Sequence, residues 1–439
     1  MSFYCRELSY HSDAAHYCAA IADLPWAAWL DSGGMGRFDI LTAAPHHKIE
    51  ESGKDPFALL RSELGEPVLP AADVPFAGGA LGYWSYDLAC RMTKLPNLDA
   101  GSVPEMAIGI YDWALVLDHR KKSARLVSHR RYAETGALLE KILQRLQAGF
   151  IEPADTFSVH GEIRCNFTRE SYAEAFSRVQ AYLQSGDCYQ VNLAQRYSAA
   201  ASGDALCAYL KLRGMSPAPY SAYLNFPHVQ VLCASPERFI KVLERRVETK
   251  PIKGTRARND DPMRDAQLAA DLACHPKDRA ENLMIVDLLR NDLGKNCVPG
   301  SVRVPELFKV ESYSNVHHLV SMVQGELADG VDALDMLRGC FPGGSITGAP
   351  KLRAMQIIAE LEPDPRGIYC GTIGYVGFDG NMDSNIAIRT LVYRGGEISC
   401  WAGGGLVADS RLEEEYQETL DKASAMLELM RCCGGKRLI

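Results

Sequence analysis

Apolar residues recur with two different spacings along this chain, and each spacing predicts one kind of element. Between Thr168, a residue suited to cap a helix, and Gly186, apolar residues return every three or four positions. This segment is predicted to be an amphipathic helix whose inward face holds Tyr172, Ala175, Phe176, Val179, Tyr182 and Leu183. Shorter apolar runs predict strands at 188–199, 220–226 and 229–234.

The first part of the chain is less regular and decides the domain division. Residues 1 to about 120 mix helical and strand patterns. The patterns predict, in chain order, a glycine-rich strand pair at 76–87, an apolar strand at 107–117, a helix at 133–147 and a linker at 148–164. We therefore divide the sequence into an N-terminal lobe, 1–150, and a second region, 160–432.

Composition and charge exclude several classes of protein. The 439 residues have a formal net charge of −8 and no basic block, which argues against nucleic acid as a partner. No apolar run reaches 18 residues and no signal peptide is present, so we expect no membrane span and a cytoplasmic location. The 14 cysteines are scattered without a C-x-x-C pair, which favours reduced thiols over disulfides or a zinc site.

A lysine stands where a strand is predicted to end, in the segment 251–255 (PIKGT). Residues 247–252 favour a strand, and Gly254 allows the backbone to turn after Lys253. A lysine at such a position can be a nucleophile if burial or a nearby cation lowers its pKa from about 10.4. The alternative is a solvated loop lysine.

Glu237 follows the apolar strand and precedes Lys253 by sixteen residues. This spacing suits two adjacent antiparallel strands that present an acid and an amine at the same end. In a pocket, Glu237 would then be a general acid and Lys253 a nucleophile. The alternative is a salt bridge on the surface.

Two predicted helices carry candidate metal ligands. Glu281 adjoins the apolar face of a helix at 277–290, a face predicted to hold Ala280, Leu283, Met284, Asp287 and Leu288. Ser410 begins a capping-box pattern that opens another helix, in which Glu415 and Glu418 lie three residues apart. Carboxylates without Cys or His partners suit Mg²⁺. The alternative for the second helix is a solvated acidic face with a Glu418–Lys422 pair.

Two glycine-rich segments offer backbone amides to an anion. The loop 342–351 superficially suggests a phosphate-binding loop, but two residues separate Gly348 from Lys351 and no Ser or Thr follows the lysine, so that template fails. Residues 403–405, after a strand predicted to end at Trp401, form a second possible cradle.

Tyr369 and Arg389 lie on apolar strands predicted at 367–378 and 386–393. An arginine in such a strand is either a structural residue with an internal partner or a fork for a carboxylate.

Together these segments resemble the chorismate-utilising enzymes. The matching segments appear in family order over about 165 to 425, and the resemblance of residues 1–150 is weaker, resting on FAGGALGYWSYD (76–87). The segments are SGDCYQVNLAQRYS (185–198), SPERF (235–239), PIKGT (251–255), DRAENLMIVDLLRNDLG (278–294), VHHLVS (316–321), PGGSITGAPKLRAM (342–355), YCGTIGY (369–375), IAIRT (386–390) and GGGLVADS with EYQET (403–419).

The resemblance implies a fold and a set of roles. The fold is an α/β (α+β) unit of two large antiparallel sheets packed face to face, with helices outside. By similarity, Mg²⁺ is held against the ring carboxylate of chorismate by Glu281, Glu415 and Glu418. Gly404 and Gly405 would bind the same carboxylate through their amides. Tyr369 and Arg389 match the pair that grips the enolpyruvyl carboxylate, and His318 and Ser345 match positions beside the ring. At residue 345 the family more commonly has threonine.

The lysine decides the branch of the family. Anthranilate synthases resemble this chain but typically have alanine at the position of Lys253, and ammonia attacks ring carbon 2 directly. With lysine, the resemblance implies that the amine adds at carbon 2 while Glu237 protonates the departing 4-hydroxyl. Ammonia then attacks carbon 4 and expels the lysine, giving 4-amino-4-deoxychorismate for 4-aminobenzoate and folate synthesis.

Partners follow from the same resemblance. The sequence has no glutaminase signature, so ammonia would come from a separate glutamine amidotransferase subunit, and a separate lyase would complete 4-aminobenzoate. A tryptophan pocket, structural or regulatory, is a further family feature, for which residues 30–32 and 219–221 are the candidate segments.

Other functions remain as alternatives. The first alternative is amination at carbon 2, as in anthranilate synthase. The second is isochorismate or salicylate synthesis. A non-catalytic subunit that only binds an amidotransferase would need neither Lys253 with Glu237 nor the three carboxylates. The interrupted loop at 343–351 argues against a nucleotide-binding protein.

Overall fold

The strand and helix patterns of the sequence form two antiparallel sheets with helices on their outer faces. A computed structural model describes residues 3–50, 55–95, 103–148, 156–313 and 316–436. The helices in these ranges are α1 (Ala15–Ile21), α2 (Pro56–Leu64), α3 (Tyr86–Met92), α4 (Thr135–Gln147), α5 (Arg169–Gln184), α6 (Ala205–Met215), α7 (Pro262–Cys274), α8 (Pro276–Gly294), α9 (Ala333–Cys340), α10 (Lys351–Leu361) and α11 (Leu412–Cys432).

The strands are β1 (Tyr4–Leu8), β2 (Ala27–Asp31), β3 (Phe38–Thr42), β4 (His47–Ile49), β5 (Gly79–Trp84), β6 (Met106–Tyr111), β7 (Ala114–Asp118), β8 (Ser123–Ser128), β9 (Ser158–Cys165), β10 (Gln190–Ser202), β11 (Tyr220–Phe226), β12 (Val229–Ser235), β13 (Arg238–Leu243), β14 (Arg246–Thr249), β15 (Ile252–Ala257), β16 (Arg303–Ser312), β17 (Val316–Glu326), β18 (Gly348–Ala349), β19 (Thr372–Gly377), β20 (Met382–Asn385), β21 (Thr390–Arg394) and β22 (Glu397–Leu406).

Over the described ranges these strands form one sheet of twelve and one of ten. The larger sheet has the order β1-β8-β7-β3-β2-β11-β12-β21-β22-β10-β18, with β9 also paired to β10. The smaller sheet has the order β15-β17-β14-β13-β20-β19-β5-β6-β4, with β16 also paired to β17. Residues 1–150 and 160–432 both contribute to each sheet, since β2 pairs with β11 and β5 pairs with β19.

The buried side chains explain how the sheets pack. One hydrophobic cluster joins residues of both sheets, among them Leu224 of β11 and Tyr83 of β5, so the sheets lie face to face. Two further clusters join the sheets to helices, for example to Leu143 of α4 and Met355 of α10. The predicted architecture of two antiparallel sheets with outer helices is confirmed.

Several predicted elements have the expected bounds, and others do not. The strand at 220–226 and the helix capped by Thr168 are present as predicted. The prediction of a strand pair at 76–87 was wrong: this segment forms β5 and then α3, because the Ser85 side chain caps a helix there. The apolar run at 107–117 is divided between β6 and β7, and β9 occupies part of the predicted linker.

No helix in the described part of the chain is both long enough and apolar enough to cross a membrane.

Candidate functional site

The sequence predicted that Lys253 stands where a strand ends, but it lies within a strand, near the beginning. It is the second residue of β15, which pairs with β17. The register between the two strands shifts between Ile252 and Thr255, and Gly254 has a φ of +85°. Because glycine adopts this conformation readily, the backbone can bulge next to Lys253.

Glu237 lies where the chain passes from one sheet to the other. It falls between β12 of the larger sheet and β13 of the smaller one, so the predicted adjacent antiparallel pairing with the strand of Lys253 was wrong. The Glu237 side chain is nevertheless buried, and Ser345 donates a hydrogen bond to it from Oγ to Oε1 at 3.1 Å. Burial raises the pKa of Glu237 to about 7, although Lys253 and this hydrogen bond oppose the rise.

Lys253 and Glu237 are joined through the same serine. The Lys253 Nζ donates to the backbone carbonyl of Ser345 at 3.4 Å and forms an ion pair with Oε1 of Glu281 at 3.0 Å. Burial by itself lowers the pKa of Lys253, but the carboxylates of Glu281 and Glu237 outweigh it and raise the pKa. The condition that we set for a ready nucleophile, a lowered pKa, is therefore not met before a ligand binds.

Glu281 faces the site from α8, and the predicted apolar face of this helix is confirmed at Met284 and Leu288, which pack against the core, but wrong at Leu283. Leu283 is 52% exposed, and the buried apolar residues are Ile285, Val286, Leu289 and Leu293. Apolar residues occur on several sides of α8, so spacing alone could not select the packed side. The Lys253 ammonium outweighs burial and lowers the pKa of Glu281, whose Oε1 also accepts from the Gln190 amide at 3.3 Å.

Glu415 and Glu418 lie in the first turns of α11. The prediction that Ser410 caps this helix was wrong. Arg411 occupies the cap position without a side-chain bond, and the Ser410 hydroxyl instead donates to Glu415 at 2.6 Å. Burial raises the pKa of Glu415. Glu418 is half-exposed and pairs with Lys422 at 2.6 Å, which is the contact expected under the alternative of a solvated face.

The three carboxylates fit a hard cation in chemistry without forming a closed cage. The Oε2 atom of Glu415 is buried and has no hydrogen-bond partner among the described residues. No group of three or more His, Cys, Asp or Glu side chains in the described ranges is arranged to hold a metal ion unaided. An all-oxygen set with one uncompensated buried carboxylate suits Mg²⁺, which usually takes further oxygens from water and substrate.

The glycines at 403–405 lie within β22 and not after it. The register places Gly404 opposite Leu193 of β10, while β21 pairs with β22 no further than Cys400. Beyond that point, the opposite edge of β22 has no strand partner among the described pairings. A Cβ at residue 404 would lie 3.0 Å from Oε2 of Glu415 and 3.7 Å from Oε1 of Glu418. The glycine therefore lets both carboxylates approach the strand.

A Cβ at residue 405 would overlap the Gln190 amide, so a side chain there would require this amide to move. Gly404 and Gly405 are thus connected to the metal-ligand candidates, the latter through Gln190 and Glu281.

Tyr369 is buried and precedes β19. Its ring stacks on Trp401 of β22, with centroids 6.1 Å apart and an interplanar angle of 9°. It also lines a cavity of about 400 Å³ whose wall includes Arg366, Thr390 and Trp401. Tyr369 is the one predicted site residue on this wall, so the cavity adjoins the site and does not contain it.

Arg389 precedes β21 and has a left-handed backbone, with a φ of 50°. Its guanidinium has neither an ion pair nor a hydrogen bond to any described residue, and burial lowers its pKa. His318 of β17 is nearby: burial, and then the Arg389 charge, lower the pKa of His318 to about 4. The hydroxyl oxygen of Thr255 lies 2.9 Å from Nδ1 of His318, within hydrogen-bond distance. A neutral histidine thus lies beside an arginine that lacks a counter-ion.

The two segments proposed for tryptophan hold a carboxylate that already has internal partners. Asp31 accepts from the Tyr209 hydroxyl at 2.8 Å and from Nε of Arg213 at 2.7 Å. The Ser32 hydroxyl is buried without a partner in the described structure, whereas Ser221 donates to the Ala218 carbonyl.

The structure thus brings most of the predicted residues into three connected groups: Glu237, Lys253, Ser345 and Glu281; Glu415, Glu418, Gly404 and Gly405; and Arg389 with His318. Tyr369 lies on the wall of the adjoining cavity. No role in the site was predicted for Gln190, Ser410 or Trp401, which contact predicted site residues. Gln190 stands in one of the recognised segments, and that position was the only available signal for it.

Comparisons with known proteins show the family of this chain. The family model described as chorismate binding enzyme matches residues 27–428. The aminodeoxychorismate synthase component 1 of Escherichia coli (strain K12) is 46% identical over 446 aligned positions, covering 96% of this chain and 97% of that protein. The anthranilate synthase component 1 of Streptomyces coelicolor is 40% identical and covers 91% of this chain and 82% of its own.

A solved structure gives the same result at the level of the fold. The anthranilate synthase component I of Streptococcus pneumoniae TIGR4 superimposes with a TM-score of 0.80 at 32% identity, covering 89% of this chain and 92% of that one. The chain belongs to the family of chorismate binding enzymes.

Proposed function

We propose that this protein aminates chorismate at ring carbon 4, giving 4-amino-4-deoxychorismate, as the name of its relatives with 46–47% identity describes. The observation that carries the proposal is the shared contact of Lys253 and Glu237 with Ser345, which places a buried amine and a buried acid on either side of one residue. A nucleophile and a general acid within one pocket suit a displacement in two steps.

The two steps balance in atoms and protons. In the first, the Lys253 amine forms a C–N bond at ring carbon 2, the ring double bond shifts, and the 4-hydroxyl leaves as water with a proton from Glu237. In the second, ammonia bonds to carbon 4, the double bond shifts back, and the lysine leaves as the neutral amine. The ammonium formed at carbon 4 then returns one proton to Glu237. The net change is the replacement of a hydroxyl by an amine, with one water released.

Glu237 is suited to the first step because its pKa of about 7 leaves a large protonated fraction at neutral pH. Lys253 begins as an ammonium and must lose a proton before it attacks. The carboxylate of Glu281, in direct contact with Nζ, is the nearest acceptor for that proton.

Binding of the substrate would use the remaining groups. Arg389 can pair with the enolpyruvyl carboxylate without first giving up an internal partner, and Tyr369 supports that end of the pocket. Glu281, Glu415 and Glu418 would hold Mg²⁺, which supplies positive charge for the ring carboxylate. The amides of Gly404 and Gly405 would donate to the same carboxylate.

Ammonia would come from a second protein. The relatives are named component 1, which supports a partner component, and we propose a glutamine amidotransferase in that role. A separate lyase would form 4-aminobenzoate from the product.

The purified chain with chorismate, Mg²⁺ and ammonium tests the proposal by chromatography, with and without added lyase. A new amine that the lyase converts to 4-aminobenzoate is the expected result. Fluorescent anthranilate would overturn it and assign the protein to carbon-2 amination, the activity named for a relative with 40% identity.

A further inference from the structure

We infer that a buried ion pair outside the groups described above, Glu362 with Arg366, is a positioning element for the reaction. The inference rests on the proposed function, because it concerns how the substrate and acid groups of that site are held. Both side chains are at most 2% exposed, and the pair joins two segments that carry predicted site residues to β10, the strand paired with the glycines of β22. Neither side chain would touch the substrate.

The pair has the geometry of a two-pronged contact. Arg366 donates from Nε to Oε2 of Glu362 at 2.8 Å and from Nη2 to Oε1 at 2.6 Å. Glu362 ends α10, and Arg366 follows four residues later in the loop that leads to Tyr369. The contact therefore fixes the start of this loop against the helix.

Arg366 also holds two backbone segments at the site. Its Nη1 donates to the carbonyl of Ile346 at 3.1 Å, and Ile346 follows Ser345 in a single 3₁₀ turn. Its Nη2 donates to the carbonyl of Asn192 at 2.8 Å, and Asn192 is paired with Gly405 across β10 and β22. One guanidinium thus connects the serine that contacts Glu237 with the strand beside the carboxylate cradle.

Two further contacts extend this connection. The Arg366 guanidinium carbon lies 5.6 Å from the centre of the Tyr369 ring, and its backbone carbonyl accepts from the Tyr369 amide at 3.2 Å. Glu362 in turn accepts from the backbone amide of Ala194, opposite Gly403, at 2.9 Å. The pair therefore contacts the supports of Tyr369, Ser345 and Gly405 at the same time.

Stability alone does not require such a pair. Two buried charges lose their hydration, and well-packed uncharged side chains of similar volume are often as stable or more so. An apolar pair could not replace the contacts of Arg366, which donates to the carbonyls of Ile346 and Asn192 and to the Glu362 carboxylate at the same time. Lysine could not do so either, because its single ammonium lacks the planar fork of arginine.

Two variants separate positioning from stability. Arg366→Lys keeps the charge and loses the fork. The double variant Glu362→Gln/Arg366→Met removes both charges, while the glutamine carbonyl can still accept from Ala194. In variants that retain cooperative thermal unfolding, we expect kcat with chorismate and ammonium to fall about 100-fold, since a shift of about 1 Å in reacting groups can have that effect. We expect the Kd for chorismate, measured by calorimetry, to rise about tenfold as Tyr369 loses its support.

The matched control is Arg37→Lys. Arg37 makes a similar two-pronged contact with a buried carboxylate, that of Asp118 in β7. Arg37 itself immediately precedes β3, and four strands separate β3 from β22 in the larger sheet. This variant should lower the thermal midpoint and leave kcat and Kd unchanged. If a folded Arg366→Lys or double variant keeps kcat and Kd within about threefold of the wild type, the inference is overturned. A wild type that yields no carbon-4 amine would count against the proposed function, and the calorimetric Kd would then still decide the inference.

Discussion

The two sides of the site differ in how their charges are compensated before any ligand is present. On the side of the amine, Lys253 contacts Glu281 and the Ser345 carbonyl, and Ser345 contacts Glu237. On the side of the arginine, Arg389 is largely buried without a partner in the described structure, and its charge helps to lower the pKa of the neighbouring His318, which is neutral.

This difference separates two tasks. Groups that already contact each other are fixed in place for proton transfer and bond formation. A buried cation without a counter-ion is unfavourable for the free protein and becomes favourable when an anion binds. We propose that the amine side is arranged for chemistry and the arginine side for capture of a carboxylate, and four predictions can break or sharpen this distinction.

The largest effect is expected for Lys253→Ala. Loss of the nucleophile should reduce carbon-4 amination with ammonium by at least about 10³-fold, because the covalent step is removed. Chromatography of the products measures the effect. Lys250→Ala is the matched control, since Lys250 lies three residues earlier and pairs with Glu311. Full amination by Lys253→Ala would show that the covalent role is wrong.

Glu237→Gln should alter how stability depends on pH. The folded pKa of about 7 is above the ordinary value of 4.5, so the folded state binds more protons than the unfolded state between these values. Stability of the wild type should therefore fall as pH rises from 4.5 to 7, and the variant should lack this fall. Above pH 7 the variant should be more stable by roughly 3 kcal/mol, with no difference below pH 4.5. Urea unfolding at a series of pH values measures this, and a constant difference would contradict the assigned pKa.

Arg389→Met tests the other side of the site. We expect KM for chorismate to rise about 100-fold, because a charged contact with a carboxylate is lost. The thermal midpoint should stay the same or rise, since the removed charge has no partner among the described residues. Arg431→Met, at an exposed helix position, should leave KM unchanged. A lower midpoint with an unchanged KM would identify Arg389 as a structural residue instead.

The smallest effect is expected for Ser410→Ala, which releases Glu415 from its hydroxyl partner. The Mg²⁺ concentration for half-maximal activity should rise about tenfold, as for other residues that orient a metal ligand. Ser410→Thr keeps a hydroxyl and should restore the wild-type value. Equal Mg²⁺ dependence in all three proteins would remove Glu415 from the proposed ligands.

Sequence reasoning predicted the residue types of the site better than their arrangement. The acid, the amine and the carboxylates were found from local motifs, and the structure brings them close together. Their strand positions could not be found in this way, because β15 pairs with β17, more than sixty residues later, and because the chain changes sheets at Glu237. Neither fact leaves a signal in nearby residues.

Two errors had a common physical cause. Ser410 fits a capping pattern, yet its hydroxyl donates to Glu415 five residues later, whose carboxylate is buried against Gly404 of β22. Leu283 fits an inward face of α8, yet the helix packs through Ile285 and Leu289. In both segments the sequence allows two local solutions, and packing against distant residues selects between them.

The most direct test of the central claim is a mass measurement on Lys253. The full chain is mixed with chorismate and Mg²⁺ without ammonium, quenched, digested and analysed by mass spectrometry. Our account predicts that the peptide containing Lys253 gains the mass of chorismate less one water, and that ammonium removes this addition as 4-amino-4-deoxychorismate forms. The account would be contradicted if Lys253 carried no addition at quench times shorter than one turnover while carbon-4 amination continued at its full rate.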